Sequence, residues 1–362
     1  MVEVVSNNID LIRLDGSYLE GGGQIVRTAL ALSMLTQQPF SIDKIRVGRP
    51  TPGLKAQHLN CIQALLQLTN GKANAVGAEL GSTKLDFFPA KIVKSKLEID
   101  IGTAGSTTLL LQSLLPVLVL GKKNITLTIT GGTDTKWSPT FDYLKEVILP
   151  PLSAFAKIEL NLLKRGFYPK GQGKVYCKVS PYKVEHLPEL NITERGDLTF
   201  VTGKSFASKD LMNAQVAERQ ARSAEIILKE LLKIPHISIN YEYNDSVSTG
   251  SGITLWALFS ACVKNNEDSA FSLKIGSDAL GEPGKKAEYV GEGAAEKLFD
   301  QMQKNAPVDV HLADNLIPFL GMVGGSIRVT EISNHTLTNI YTTESFLKKK
   351  FKVDNENNII SV

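Results

Sequence analysis

The sequence predicts a mixed α/β protein in which one domain is interrupted by another, and three observations carry that prediction. Helix-period and strand-period patterns alternate along the chain. A turn of small polar residues followed by an apolar helix recurs, at Gly102 ("GTAGSTTLLLQSLLPVL") and, without the glycines, at Ser333 ("SNHTLTNIYTTESFL"), which suggests a repeated unit. The character of the chain changes between about 185 and 307 and then reverts.

The elements follow in order. The stretch "LEGGGQIVRT" from Leu19 sets an acid and three glycines directly before an amphipathic helix predicted over Gln24 to Leu35. Three consecutive glycines cost backbone entropy, so such a run marks unusual dihedrals or a close approach. A strand is predicted at Phe40 to Val47 and a helix from about Leu54 to Leu68. "LEIDIG" and "ITLTITGG" alternate apolar and polar residues and each stops at glycine, the pattern of half-buried strands. From Glu185 to Pro307 come a strand "DLTFVTG", a charged helix "NAQVAERQARSAEIILKELL", strands "HISINYEY" and "GITLWALFSACV", and a helix "GAAEKLFDQM". The small-residue style of helix entry returns after Val308. The predicted division is therefore a repeat domain of 1–184 and 308–362 whose ends pair across an inserted α/β domain of 185–307.

The totals exclude several classes. A chain of 362 residues accommodates two or three domains at roughly 100–200 residues each. Hydrophobic residues at 43% with 21% charged and 7% aromatic exclude a disordered or fibrous protein. No apolar run approaches the ~20 residues of a membrane span. "MVEVVSNNIDLIR" lacks a basic segment followed by an apolar one, so the expected location is the cytoplasm. Cys61, Cys177 and Cys262 are odd in number and far apart, which predicts buried thiols and neither a disulfide framework nor a structural zinc site. Lys and Arg exceed Asp and Glu by 40 to 37, a net charge of +3, so any anion site must be local.

One such site is visible. Arg27 lies on the first turn of the helix that the glycines open, where free N–H groups, the positive dipole end and a guanidinium fork favour phosphate; a tight turn with a surface Arg is the alternative. "GGGQIV" fits neither a dinucleotide fingerprint nor a P-loop. Glu20 beside an anion site is either a ligand for magnesium or manganese or a partner of the helix dipole. "RVGRPTPGLKAQHL" adds Arg46, Arg49, Lys55 and His58 around a proline-stiffened turn, fit to hold a phosphodiester chain or simply solvated. His335, in "EISNHTLTNI", is expected in a polar loop, projecting into solvent or catalytic. His311 opens "HLADNLIPFL", where Asp314 and Asn315 either read a base or ribose or, for Asp314, cap the helix.

Taken together and in order, "LDGSYLEGGGQIVRTALALS", "RPTPGLKAQHL", "ELGSTKLDF", "GTAGSTTLLLQ", "GGTD", "RGFYPKGQG", "HLADN" and "NHTLTNI" resemble the RNA 3'-terminal phosphate cyclase family, from about Leu14 to the C-terminus. The resemblance, to the histidine-containing active branch, implies a large domain of repeated βαβαββ units, similar to the enolpyruvate transferase architecture, with a smaller inserted α/β domain. It implies a ligase that converts an RNA 3'-phosphate into a 2',3'-cyclic phosphodiester with ATP and Mg2+ or Mn2+. It further implies His335 as the nucleophile that takes AMP and Glu20 as the metal-binding acid. Gln112, Pro139, His311, Leu312, Ala313, Asp314 and Asn315 fall where the family encloses the adenosine, and Arg27, Arg46, Arg49, Gln57 and His58 where it binds the terminal phosphates. The chain departs from the family's pattern with His311 in place of a frequent tyrosine, Asn315 in place of a glutamine, and Gln172 between Gly171 and Gly173. Two rival readings are a cyclase-like ribosome-biogenesis factor, which would lack the histidine present here as His335, and an enolpyruvate transferase, suggested by architecture alone. The expected partner is RNA bearing a 3'-terminal phosphate, with no membrane; assembly is open between a monomer and a homodimer.

Overall fold

Three sheets share one strand order, which makes the repeat visible. The computed structural model describes residues 11–233, 236–266 and 269–362, with backbone alone for 262–271. The opening residues read for a leader and the Cys262 side chain lie outside the described residues. In the first unit β1 (Ile12–Asp15), α1 (Gln24–Thr36), β2 (Phe40–Asp43), α2 (Ala56–Leu68), β3 (Asn74–Val76) and β4 (Leu85–Phe88) give a sheet ordered β1-β2-β4-β3. Its first pair is parallel and the others antiparallel. The second unit has β5 (Lys96–Asp100), α3 (Thr107–Leu120), β6 (Ile125–Gly131), helical turns over Phe141–Leu152, β7 (Ala156–Lys164) and β8 (Gly173–Pro181), ordered β5-β6-β8-β7.

The third unit starts at β9 (Leu190–Ile192) and is interrupted by β10 (Leu198–Ser208), α4 (Val216–Leu232), β11 (Ile237–Asn244), β12 (Ser251–Asn266), β13 (Ser269–Leu280) and α5 (Ala287–Gln303). It resumes with α6 (Val310–Val323), β14 (Gly325–Arg328), α7 (Asn334–Leu347), β15 (Lys352–Asp354) and β16 (Ile359–Ser361). The sheet order is β9-β14-β16-β15, again with a parallel first pair. Each unit is thus βαβαββ: a parallel pair demands a helical crossover, and the closing antiparallel pair a short connection. The interruption enters between the first strand and first helix of the third unit. It builds its own sheet, β11-β10-β12-β13, with α4 and α5 packed on each other.

Two apolar cores result. One joins the three units from Leu14 to Ile360, the other runs from Val201 to Met302. Charge crosses the seam between them. Arg165 is 1% exposed, bonds Asp134 (2.9 Å), Asp142 (2.8 Å) and Glu242 (2.9 Å), and lies 3.8 Å over the Phe206 ring. Glu242 and Phe206 belong to the interrupting segment, so this cluster fastens it to the second unit.

Three sequence expectations are corrected. The strand from Phe40 ends at Asp43, because Lys44 and Arg46 turn into the left-handed region (φ 50° and 56°). Helix α2 starts at Ala56 after an extended Lys55. The echo at Ser333 fills the second helix slot of its unit, whereas α1 and α3 fill first slots; the first slot of the third unit belongs to α6. Cys61 and Cys177 are buried free thiols, as expected. No described helix is long and apolar enough to cross a membrane.

Candidate active site

The three glycines answer to different constraints. Gly21 sits at φ 54°, a region costly for other residues. A Cβ on Gly23 would lie 1.9 Å from Nε2 of His58, so the buried imidazole occupies the side-chain position. Gly22 opens instead toward Arg49, whose Nη2 would be 3.8 Å from an added Cβ. The helix that follows has no capping side chain and no acid in its first turn. Its free N–H groups and dipole end therefore await an anion.

Cations gather in front of that turn. Arg27 is half-buried, and its guanidinium has neither an ion pair nor a hydrogen bond among the described residues. Burial, together with the charge of Arg46, lowers its pKa. Burial and the neighbouring Arg49 likewise lower that of Arg46. The Nε atoms of Arg46 and Arg49 are buried without a partner. Guanidiniums held this close, with Glu20 as their one ion-pair partner among the described residues, are unfavourable unless an anion joins them.

Behind them lies a cleft of about 460 Å³, lined by Gln24, Arg27 and Thr28 of α1, Gln112 of α3, Trp137, Ser138, Pro139 and Tyr143, Asp278 of β13, His311, Asp314 and Asn315 of α6, and His335 and Asn339 of α7. The packing of α1, α6 and α7 brings these together. Thr28 donates to Asn339 (2.8 Å), whose amide donates to the Asp314 carbonyl (2.6 Å). The Gln24 amide donates to the His335 carbonyl (3.1 Å).

His335 stands on the first turn of α7 rather than in a loop, a correction to the sequence reading. Ser333 caps that helix by accepting the Thr336 N–H (3.0 Å), and the hydroxyls of Ser333 and Thr336 both donate to Asp314 (2.8 and 2.6 Å). Asp314 therefore ties α6 to the start of α7. It does not cap α6; Asp309 does, accepting the N–H groups of His311 (3.1 Å) and Leu312 (2.9 Å). The same carboxylate takes the Tyr143 hydroxyl and the Gly276 N–H (3.0 Å), so the interrupting segment helps to set the entry of α6. The His335 Nδ1 is buried and unpartnered. Nε2 lies 3.2 Å from Glu20.

The cleft does not include every predicted residue. Leu312 and Ala313 are 1% and 0% exposed and face the core, so their side chains do not line the cleft. His58 is 0% exposed; its Nδ1 accepts the Lys55 N–H (2.9 Å), and burial followed by the charges of Arg27, Arg46 and Lys55 pushes its pKa down to about 3. An enclosed imidazole held in its neutral form props the glycine turn. Gln57 is half-buried beside it (3.4 Å), and the Asn315 amide turns back to the His311 carbonyl (2.7 Å). Sequence reasoning missed Tyr143, Asp278, and Trp137, which is 94% exposed at the rim; of these, only the aromatic character of Trp137 beside "GGTD" offered a signal.

Among the described residues no three His, Cys, Asp or Glu side chains form a metal cage. Glu20 alone suits a hard cation that keeps its waters and shares substrate phosphates.

A family model described as RNA 3'-terminal phosphate cyclase matches residues 18–353. Three relatives bear that same name. The one from Pyrococcus furiosus is 45% identical over 344 residues, covering 95% of each chain. That from Methanococcoides burtonii is 44% identical over 355 residues, 97% of this chain and 99% of its own. That from Sulfurisphaera tokodaii is 41% identical over 348 residues, 96% of this chain and 97% of its own. With the family model covering almost the whole chain and near-full-length relatives at 41% to 45% identity, the chain belongs to the RNA 3'-terminal phosphate cyclase family.

Proposed function

We propose that this chain is a ligase that closes an RNA 3'-terminal phosphate to a 2',3'-cyclic phosphodiester in three transfers. His335 Nε2 attacks the α-phosphorus of ATP, forming a P–N bond while the α,β-bridging bond breaks and pyrophosphate leaves. An oxygen of the RNA 3'-phosphate then attacks that phosphorus, the P–N bond breaks, and the imidazole is restored. Finally the 2'-hydroxyl attacks the 3'-phosphorus, losing its proton as AMP leaves. The last step is intramolecular and needs little beyond orientation.

The residues divide along the cleft. Arg27, Arg46 and Arg49 with the start of α1 neutralise the phosphates that must approach one another, and Gln57 borders them. Gln112, Pro139, His311 and the start of α6 flank the adenosine. Glu20 would hold Mg2+ or Mn2+, which supplies charge neutralisation at the phosphates when bound. The three outer units carry this chemistry, and the interrupting segment, β10 to α5, steadies its nucleotide wall.

The observation that carries this reading is the meeting of His335 Nε2 with a guanidinium cluster that lacks carboxylates other than Glu20. The test is incubation with α-labelled ATP and metal, followed by denaturation. An acid-labile, base-stable protein label is expected from wild type and none from His335→Ala, together with phosphatase resistance of a 3'-phosphorylated oligoribonucleotide. A label retained by His335→Ala would overturn the assignment.

A further inference from the structure

The cleft is chemically polarised. Arg27 is the one Lys or Arg among the described residues lining it, and it stands at the end that holds His335 and Gln24. The opposite end is made of Pro139, Tyr143 and His311, the last two edge to face at 6.3 Å. A nucleoside triphosphate whose α-phosphorus must meet His335 keeps its phosphates at the first end and its base at the second.

Asp278 belongs to the second end and comes from the interrupting segment. Its Oδ2 accepts the backbone N–H of Thr140 (2.9 Å). The Thr140 hydroxyl shares a hydrogen bond (2.7 Å) with Thr254, the residue paired with Asp278 across β12 and β13. The carboxylate is therefore held in place before any ligand arrives. Its Oδ1 accepts no hydrogen bond from the described residues, while the side chain lines the cleft. Burial pushes this carboxyl up, a cost that an incoming N–H donor offsets.

We infer that Asp278 is a specificity-determining residue, accepting a hydrogen bond from the 6-amino group of the ATP base. This rests on the ATP-dependent reading above. A carboxylate accepts and cannot donate, so a purine without that amino group leaves the oxygen unmet. The interrupting segment would then contribute directly to the nucleotide site.

Pyrophosphate release tests the inference, because the readout does not depend on the base. Wild type is given ATP, purine riboside triphosphate, which lacks the 6-amino group, and 2'-deoxyATP. Loss of one hydrogen bond to a charged group predicts a kcat/KM for purine riboside triphosphate about 10- to 100-fold below that for ATP. Asp278→Asn keeps an oxygen for Thr140 and turns an amide toward the base, so the ratio should shrink to roughly threefold or less, chiefly through KM for ATP. Circular dichroism verifies that the variant folds, and the wild-type comparison stands without it. No turnover of ATP by wild type would sink the parent reading. Equal use of both purines by wild type, or an unchanged ratio in a folded Asp278→Asn, would overturn the role of Asp278 alone; a 2'-deoxyATP penalty that the variant removes would transfer the contact to the ribose and overturn it too.

Discussion

The Nε2 of His335 lies 3.2 Å from Oε2 of Glu20, and the Nη2 of Arg49 approaches that same oxygen at 3.3 Å. One carboxylate oxygen thus sits between the imidazole of His335 and a guanidinium of the anion turn. On the proposed reading Nε2 needs a free lone pair to reach a phosphorus, so Glu20 is expected to turn away from His335 as nucleotide enters.

That sharing yields separable variants. Glu20→Ala is expected to slow adenylation roughly 10- to 100-fold and to change its dependence on metal concentration. Arg49→Ala should leave adenylation within about threefold of wild type while raising the RNA concentration needed for cyclisation. Single-turnover labelling with and without RNA distinguishes them; equal loss of adenylation in both would merge the two sites.

The glycine turn should respond residue by residue. Gly23→Ala drives a methyl into the His58 ring and is expected to destabilise the fold by about 1–3 kcal/mol. Gly22→Ala meets only ordinary van der Waals contacts, Arg49 Nη2 at 3.8 Å and the Gln24 nitrogen at 3.9 Å, so its melting temperature should match wild type while its RNA affinity falls. Thermal melts paired with RNA titrations decide this, and a severely destabilised Gly22→Ala would contradict it.

Acid should weaken the fold through His58. Its folded pKa is depressed to about 3 from an ordinary 6.5, so the unfolded chain binds the extra proton between those values. Stability therefore rises with pH through this window, is complete above 6.5, and declines as pH falls, by at most about 1.4 kcal/mol per unit. Between pH 6.5 and 5, before most carboxylates titrate, the urea midpoint of wild type should drop. His58→Asn should flatten that slope whatever its absolute stability, and an unaltered slope would refute the assignment.

Arg165 should be indispensable to the seam. Arg165→Ala strands the buried Asp134, leaves Asp142 and Glu242 to Lys204 alone (3.8 and 3.5 Å), and is expected to cost about 3–5 kcal/mol. Arg165→Lys should recover little, since one ammonium cannot reproduce a planar fork that bonds three carboxylates. Denaturant unfolding measures the loss; near-wild-type stability of Arg165→Lys would show that charge alone suffices.

A strand with a terminal 2'-deoxynucleotide and a 3'-phosphate should stall. It can take AMP from His335, because phosphate contacts do not read the sugar, yet it has no 2'-hydroxyl to close the ring. Mass spectrometry should find one added AMP with wild type and none with His335→Ala. A cyclic product from that strand would disprove the final transfer.

How much was legible in the sequence follows from what is local. Helix periods, strand alternation and a glycine run before a helix depend on near neighbours, so α1, α3, β6 and the helices and strands from β10 to α5 could be read directly, whereas the short β9, inside the predicted 185–307, pairs with β14 of the outer unit. The block "NHTLTNI" likewise drew attention to His335. Tertiary structure decided what depends on distant partners. His58 looked like a phosphate ligand until packing set its ring where a Gly23 side chain would be, 0% exposed. Asp314 looked like a cap until α7 laid Ser333 and Thr336 against it. Asp278 was invisible because nothing in "GSDALGEPG" marks a cleft residue; the pairing of β13 with β12 and the contact with Thr140 put it there. Sequence by itself determined which segments could be helix or strand and which residue types could do phosphate chemistry. Only folding decided which of them share a cleft, because a side chain's charge state and reach are fixed by what is packed around it.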